Sequence, residues 1–492
     1  MKKFTYNVVK SMTMNEKRYF KIFCNRHVLG SQNKYLQLFD IINKHERIDI
    51  ELINEYNPDF KYSNKNLSAD INYLNKILLR SLNEYSIDKT CDLKIKQNLI
   101  SIEILFFKGL YEECLTIIKK AKKINLKNEN QALMIDLLNW EKKCLGYSKG
   151  LSSAMSINQK LDLYTDSIKQ NRIITDLYYQ SYFLKNSIGK IPSNKIIADF
   201  ETVFKASIFL SEGRGLVSVR NRILYNLTYA NYYNVIRDSK KELGYLEKSI
   251  NLFNVNTIYK NENPLDYISI YNRVLDIIKH EKDIVFNERI KELRSFNTTI
   301  SFQNSVIKER IYLHTHKAEL EYLIYNDAID VAFSLMQEVK KIIDSNKYTI
   351  EPYYFVALYY LFACVHCKLN DFSSGLKFIN AILNKYTLVE RPKIYIKAEI
   401  LNIIIHYELN NYELVLTHIN NIKKKYARGY KFNFIEKRLI KTLMKTSLNP
   451  LETNIKNEFK KLYKKLKVKT DYEKIASNHF YLNYVNSKID VK

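Results

Sequence analysis

Apolar residues fall at helical spacing from near the start of the chain. Thr13 and Glu16 have the spacing of a capping box, in which the Thr hydroxyl accepts from the first turn and the Glu side chain reaches back. Tyr19, Phe20, Ile22 and Phe23 follow as an apolar stripe. Tyr35, Leu36, Leu38, Phe39, Ile41 and Ile42 mark a second helix. A third, short helix is expected near Ile50 to Tyr56, ending before Pro58, because the residue ahead of a proline is pushed out of the helical region. A fourth starts near Leu67 and carries Ile71, Leu74, Ile77, Leu78 and Leu82. Residues 1–88 read as a compact N-terminal helical cap.

From about residue 91 the pattern repeats. His366, Leu369, Asn370, Asp371 and Phe372 are followed by Leu376, Ile379, Asn380 and Ile382. Forty residues later His406, Leu409, Asn410, Asn411 and Tyr412 are followed by Leu416, Ile419, Asn420 and Ile422. Tyr325, Asn326, Asp327 and Ala328 with Leu335 form a looser copy, and Gly109, Leu110, Tyr111, Cys114 and Leu115 with Ile118 and Ala121 form another. A period near 40 residues that contains two helices is a solenoid signature. In each unit a helix ends at an Asn/Asp/Gly turn, and an aromatic opens the next helix and packs back on the first. A small residue three positions on (Cys114 or Gly375) marks the close approach. One pair cannot bury its own apolar face, but stacked neighbours can. Residues 89–450 read as the repeat array, and residues 451–492 as C-terminal capping helices.

Composition supports an all-α chain. Its 492 residues include 10 Gly and 6 Pro, against average usage of about 7% and about 5%, which leaves little material for hairpins or phosphate loops. The net charge is +26. Lys, Asn, Ile and Tyr are abundant together, as AT-rich codons would produce, so biased coding is the leading source of the charge. Whatever its origin, it favours acidic partners and nucleic acid. Of the six cysteines, Cys24, Cys91, Cys114 and Cys144 lie singly in helical patterns, where Cys acts as a small hydrophobe, and no disulfide framework is suggested. Asn7 and Lys10 interrupt any signal-peptide core. The longest uncharged run, Pro352 to Cys367, is too short to span a bilayer and reads as a helix buried on most sides. A cytoplasmic protein without membrane insertion is expected.

The segment Gly109 to Ala121 resembles a tetratricopeptide repeat through Tyr111, Cys114, Ile118 and Ala121. Tyr359, Phe362, Ala363, His366, Phe372, Gly375, Ile379 and Ile382 resemble it likewise. The family's Trp and its terminating Pro are missing from both units. Residues 1–88 and the ending from Tyr472 to Ile489 resemble a group of uncharacterised bacterial helical-repeat proteins. The resemblance implies a right-handed α-solenoid of antiparallel helix pairs whose first helices line a groove. The implied groove-facing binding positions are Glu103, Phe106, Tyr360, Cys364, Cys367, Ile404 and Tyr407.

Chemistry-bearing clusters are few. Cys364, His366 and Cys367 are zinc-ligand types, but helical geometry turns the His ring away from both thiols and no fourth ligand cluster exists, so packing accounts for them. His316 and Glu319 have half the spacing of a di-metal carboxylate site, without partner motifs. Gly213, Arg214 and Gly215 read as a helix terminator. There is no phosphate loop, GxSxG elbow or HExxH helix, and no cofactor or metal is expected. Two basic features remain. Lys456, Lys460, Lys461, Lys464, Lys465 and Lys467 cover one side of a helix from Leu451 to Lys467, opposite Ile455, Phe459, Leu462, Tyr463 and Leu466. Residues 33–85, with Asp70, Asn72, Asn75, Lys76 and Arg80 outside the apolar stripe, outline a helix-turn-helix. The expected function is a non-enzymatic helical-repeat scaffold binding a protein or peptide. The alternative is a nucleic-acid-binding regulator using residues 33–85 or the Lys-rich face of residues 451–467.

Overall fold

The computed structural model describes residues 3–26, 33–45, 49–56, 62–187, 198–202, 218–279, 283–299, 305–345, 352–385, 392–426, 432–467 and 479–489. Among them there is no strand, and no helix is long and apolar enough to cross a membrane. The chain divides into two compact units, Met1–Gln170 and Asn171–Lys492. Gly213 to Gly215 and Tyr472 to Ala476 lie outside the described residues.

The first unit opens with α1 (Lys3–Ser11), α2 (Met14–Asn25), α3 (Lys34–Lys44), α4 (Ile50–Tyr56) and α5 (Asn64–Ser86). They enclose a core of their own around Phe20, Phe39, Ile42, Leu74 and Leu78. The capping box at Thr13 and Glu16 is present. Ile22 does not belong to the buried stripe; it is exposed, and Cys24, one turn beyond Phe20, takes the inward place. α5 begins one turn earlier than its apolar stripe, because the Ser63 hydroxyl caps it by accepting from the Asn66 N–H. Next come α6 (Cys91–Phe106), α7 (Tyr111–Asn128), α8 (Gln131–Lys149) and α9 (Leu151–Met155). Ile95, Ile102, Cys114, Ile118 and Leu137 form their core. α10 (Asn158–Ser187) follows, and the division between the units falls within it, after Gln170.

The second unit contains α11 (Val219–Ile236), α12 (Ser239–Val255), α13 (Thr257–Glu262), α14 (Pro264–Ile278), α15 (Asp283–Thr299), α16 (Ser305–Tyr325) and α17 (Ile329–Asp344). It continues through α18 (Pro352–Lys368), α19 (Phe372–Lys385), α20 (Pro392–Glu408), α21 (Tyr412–Tyr426), α22 (Phe434–Leu448), α23 (Glu452–Lys467) and α24 (His479–Ser487). Helices adjacent in sequence pack together, and the alternate helices α14, α16, α18, α20 and α22 each touch the next of that series. α18, the long uncharged run, is buried on most sides: from Tyr354 to Cys367 only Phe355, Tyr359 and Tyr360 are half-buried and the rest are buried.

One turn geometry recurs at the helix ends. After α6, α11, α16, α18 and α20 the chain passes through a left-handed residue: Gly109, Arg237, Asp327, Asn370 and Asn410, with φ of 78°, 65°, 59°, 59° and 60°. Each time the next N–H donates to the carbonyl five residues back, as Asp371 does to His366 and Asn411 to His406. The left-handed residue's own N–H donates three back, as Asn370 does to Cys367 and Asn410 to Tyr407. This is the Schellman end, which satisfies carbonyls that a helix leaves open. Gly, Asn and Asp tolerate the conformation best, which is why those turns are legible in the sequence. The next helix starts two residues later, at Tyr111, Ser239, Ile329, Phe372 and Tyr412. Gly375 sits where α18, α19 and α20 converge: a Cβ built there would meet the Ala363 carbonyl and the Cys367 sulfur at 3.4 Å and Ile405 at 3.6 Å. Cys114 holds the corresponding place in α7, fully buried, its thiol 3.4 Å from the Ile102 carbonyl.

Candidate functional site

The groove-facing positions inferred from the repeat pattern divide into two groups. In the first unit Glu103 is exposed and Phe106 half-buried. Phe106 anchors a cluster of rings, 5.3 Å from Tyr111, 5.5 Å from Trp140 and 5.4 Å from Tyr147. Phe107 and Tyr147 at its edge are 79% and 70% exposed, so part of this aromatic surface meets solvent.

In the second unit the expectation of exposed positions fails. Cys364 is 2%, Cys367 8%, Ile404 0% and Tyr407 4% exposed, and Tyr360 is half-buried. The physical reason is that α23 and α24 join the same core. Phe459 and Leu462 of α23 and Tyr481 and Val485 of α24 belong to the cluster that contains these residues. The Phe459 ring lies 6.3 Å from Tyr407 and 6.1 Å from Tyr484. The hydroxyl of Tyr360 lies beside the Cys364 thiol and the Tyr481 hydroxyl. Burial pushes the Cys364 thiol up to about 12 and that of Cys367 well above its ordinary value, so neither is a poised thiolate.

At the end of α20 stands Glu408, a carboxylate whose side chain is 11% exposed. It accepts from the Tyr484 hydroxyl and from Lys488 Nζ at 2.6 Å. Both donors come from α24 and the residue just beyond it. Sequence reasoning missed Glu408, because one Glu at a helix end carries no mark. The signal that could have marked its partners is the i, i+3, i+4 and i+7 spacing of Tyr481, Tyr484, Val485 and Lys488.

The metal-type clusters are occupied by protein groups. His366 turns away from the thiols: its Nδ1 lies 3.1 Å from Asp371 and its ring stacks 5.5 Å from Phe378. Arg294 approaches Glu319 and His316 at 2.5 and 3.3 Å, placing a guanidinium where a metal would sit. His314 Nε2 and the Tyr354 hydroxyl share a hydrogen bond at 2.6 Å, and burial drops the His314 pKa to about 3. Among the described residues no group of three or more His, Cys, Asp or Glu could hold a metal ion. A further buried cluster joins Lys317 to Glu321 at 3.0 Å and Lys279 to Glu321 at 2.7 Å. Burial opposes the charge on Glu321, but the two lysines outweigh it and hold the carboxyl below its ordinary range. No family model matches the chain, no curated protein matches it, and no solved structure matches it.

The basic features are partly self-neutralised. In α23, Lys456 pairs with Glu452 at 2.9 Å and Lys461 with Glu458 at 2.8 Å, while Lys460, Lys464 and Lys465 are exposed. The side chain of Lys467 lies outside the described residues. On α5, Asp70 is held by Lys34 at 2.8 Å, Asn75 is half-buried, and Asn72, Lys76 and Arg80 are exposed.

Proposed function

We propose that this chain is a non-enzymatic, tetratricopeptide-like α-solenoid, right-handed and cytoplasmic, that binds a protein or peptide. The observation that carries the reading is the recurring Schellman turn at Gly109, Arg237, Asp327, Asn370 and Asn410, always followed two residues later by a helix. One turn geometry repeated along a chain is how helix pairs are set at a constant angle, and stacked pairs present extended binding surfaces. The succession α14, α16, α18, α20 and α22 supports the same arrangement. The six cysteines, none of them in a disulfide, suit a reducing compartment.

The second reading, a nucleic-acid-binding regulator, draws on exposed Lys460, Lys464 and Lys465 and on exposed Asn72 and Arg80. Affinity capture from the native cell, with and without nuclease, separates the two. A stoichiometric protein retained after nuclease supports the scaffold; loss of every partner with nuclease supports the regulator.

A further inference from the structure

Glu408 poses a question the helix array does not answer by itself. A carboxylate this buried is costly unless paired, and both of its donors, Tyr484 and Lys488, arrive from the C-terminal segment. The segment packs on α23, where Phe459 lies 6.1 Å from Tyr484, and reaches Glu408 of α20 and Tyr360 of α18. Tyr481 is 1% and Val485 0% exposed, Tyr484 is half-buried, and Asn486 and Ser487 point to solvent. This is the helix-in-groove mode of recognition, read as anchors at i, i+3, i+4 and i+7. α24 is nine residues long and includes two Asn, two Tyr and one Val. Helices shorter than ~12–15 residues are marginal alone, and these residues are weak helix formers. Its helicity therefore depends on being seated. An aliphatic cap would close the core without a charge; a buried acid met by an incoming cation instead fixes register and rejects helices that lack the donor.

We propose that α24 is an intramolecular ligand. The face formed by α18, α20 and α23 is a receptor for an amphipathic helix presenting Tyr, Tyr, an aliphatic residue and Lys at i, i+3, i+4 and i+7. α24 occupies it until a partner protein's helix of that pattern takes its place. This rests on the reading of the chain as a peptide-binding scaffold and names the chemistry of its partner.

The probe is a fluorescent peptide of residues 479–489 added to the full-length chain. In the wild-type chain the tethered helix competes at an effective concentration near millimolar, so the peptide binds weakly. Lys488→Glu in the chain sets two acids against each other and frees the face. Peptide affinity should then rise at least tenfold, while a Lys488→Glu peptide should not bind. Glu408→Lys should reverse the preference, favouring the Lys488→Glu peptide at least tenfold. A chain that keeps its circular dichroism yet binds neither peptide would overturn the proposal. Hydrogen exchange on the wild-type chain tests it without any variant. The α24 amides should exchange through a local opening that leaves α18 and α20 protected; exchange of all three only through global unfolding would make α24 a fixed part of the core and end the proposal. A concentration-dependent dimer of the wild-type chain, dissolved by the peptide, would replace the partner helix by a second copy. A native partner captured equally by wild-type and Lys488→Glu chains, with no peptide binding, would keep the scaffold and remove this inference.

Discussion

Phe372 illustrates what residue type and spacing can and cannot convey. Its place at the start of α19 was legible, because an aromatic after an Asn-Asp turn opens the second helix of a pair. Its depth was not: it is half-buried, since exposure is set by distant neighbours. Phe372→Ala should therefore cost about 2 kcal/mol, below the 3–5 of a fully buried Phe, as urea midpoints would show. Gly375 gives a sharper test. A methyl fits at 3.4 Å from its neighbours, and Ala is a better helix former by about 1 kcal/mol. Gly375→Ala should be neutral or stabilising, whereas Gly375→Leu should destabilise by about 1–3 kcal/mol through overpacking. Equal effects would mean that the close approach is absent. His314 sets a pH dependence. Burial depresses its folded pKa to about 3, from an ordinary value near 6.5. The unfolded chain therefore binds the extra proton between those values, and stability is complete above pH 6.5 and falls as pH drops toward 3. Between pH 7 and 5 this is about 2 kcal/mol. His314→Gln keeps an acceptor for Tyr354 without the titration, so its stability should fall less over that interval. An unchanged slope in denaturant titrations at the two pH values would refute the assignment.

Turns are the elements that carried most information in the sequence. Gly109, Asn370 and Asn410 announce a left-handed residue by type, and the structure gives each the same pair of backbone hydrogen bonds. The copy at Arg237 was hidden, because Arg has no preference for φ of 65° and only the geometry identifies it. Asn370→Gly should leave stability within a few tenths of a kcal/mol, while Asn370→Val should cost about 1–2 kcal/mol. If both are silent by thermal melting, the Schellman end does not define this turn. In the groove-facing set, the exposure expected of four second-unit positions fails at the same scale. Cys364, Cys367, Ile404 and Tyr407 lie on the first helices of their pairs, as the period required. Spacing within a helix does not record that α23 and α24, much later in the chain, join the core around them.

At the scale of the molecule, low Gly and Pro content pointed to helix, and the described residues are helical without a strand. Far-ultraviolet circular dichroism should show helix without a strand signal. The charge of +26 is spread over faces that in part neutralise themselves, as Lys461 and Glu458 do. Duplex DNA should therefore bind weakly and without sequence preference, with affinity falling steeply toward physiological salt at a log–log slope of about −0.9 per phosphate contact. Tight, sequence-selective binding at that salt, lost when Asn72, Asn75 and Arg80 become Ala, would favour the regulator instead. The seating of α24 on α20 also has a consequence in time. Helix pairs form between neighbours, so they can assemble while the chain is being synthesised. The link from Glu408 to Lys488 spans 80 residues, and at 5–20 residues per second that separation lasts roughly 4–16 s. For that interval a newly made chain carries an acid and an apolar strip uncovered, long enough for a chaperone, or a partner already present, to reach the strip before the chain's own helix exists.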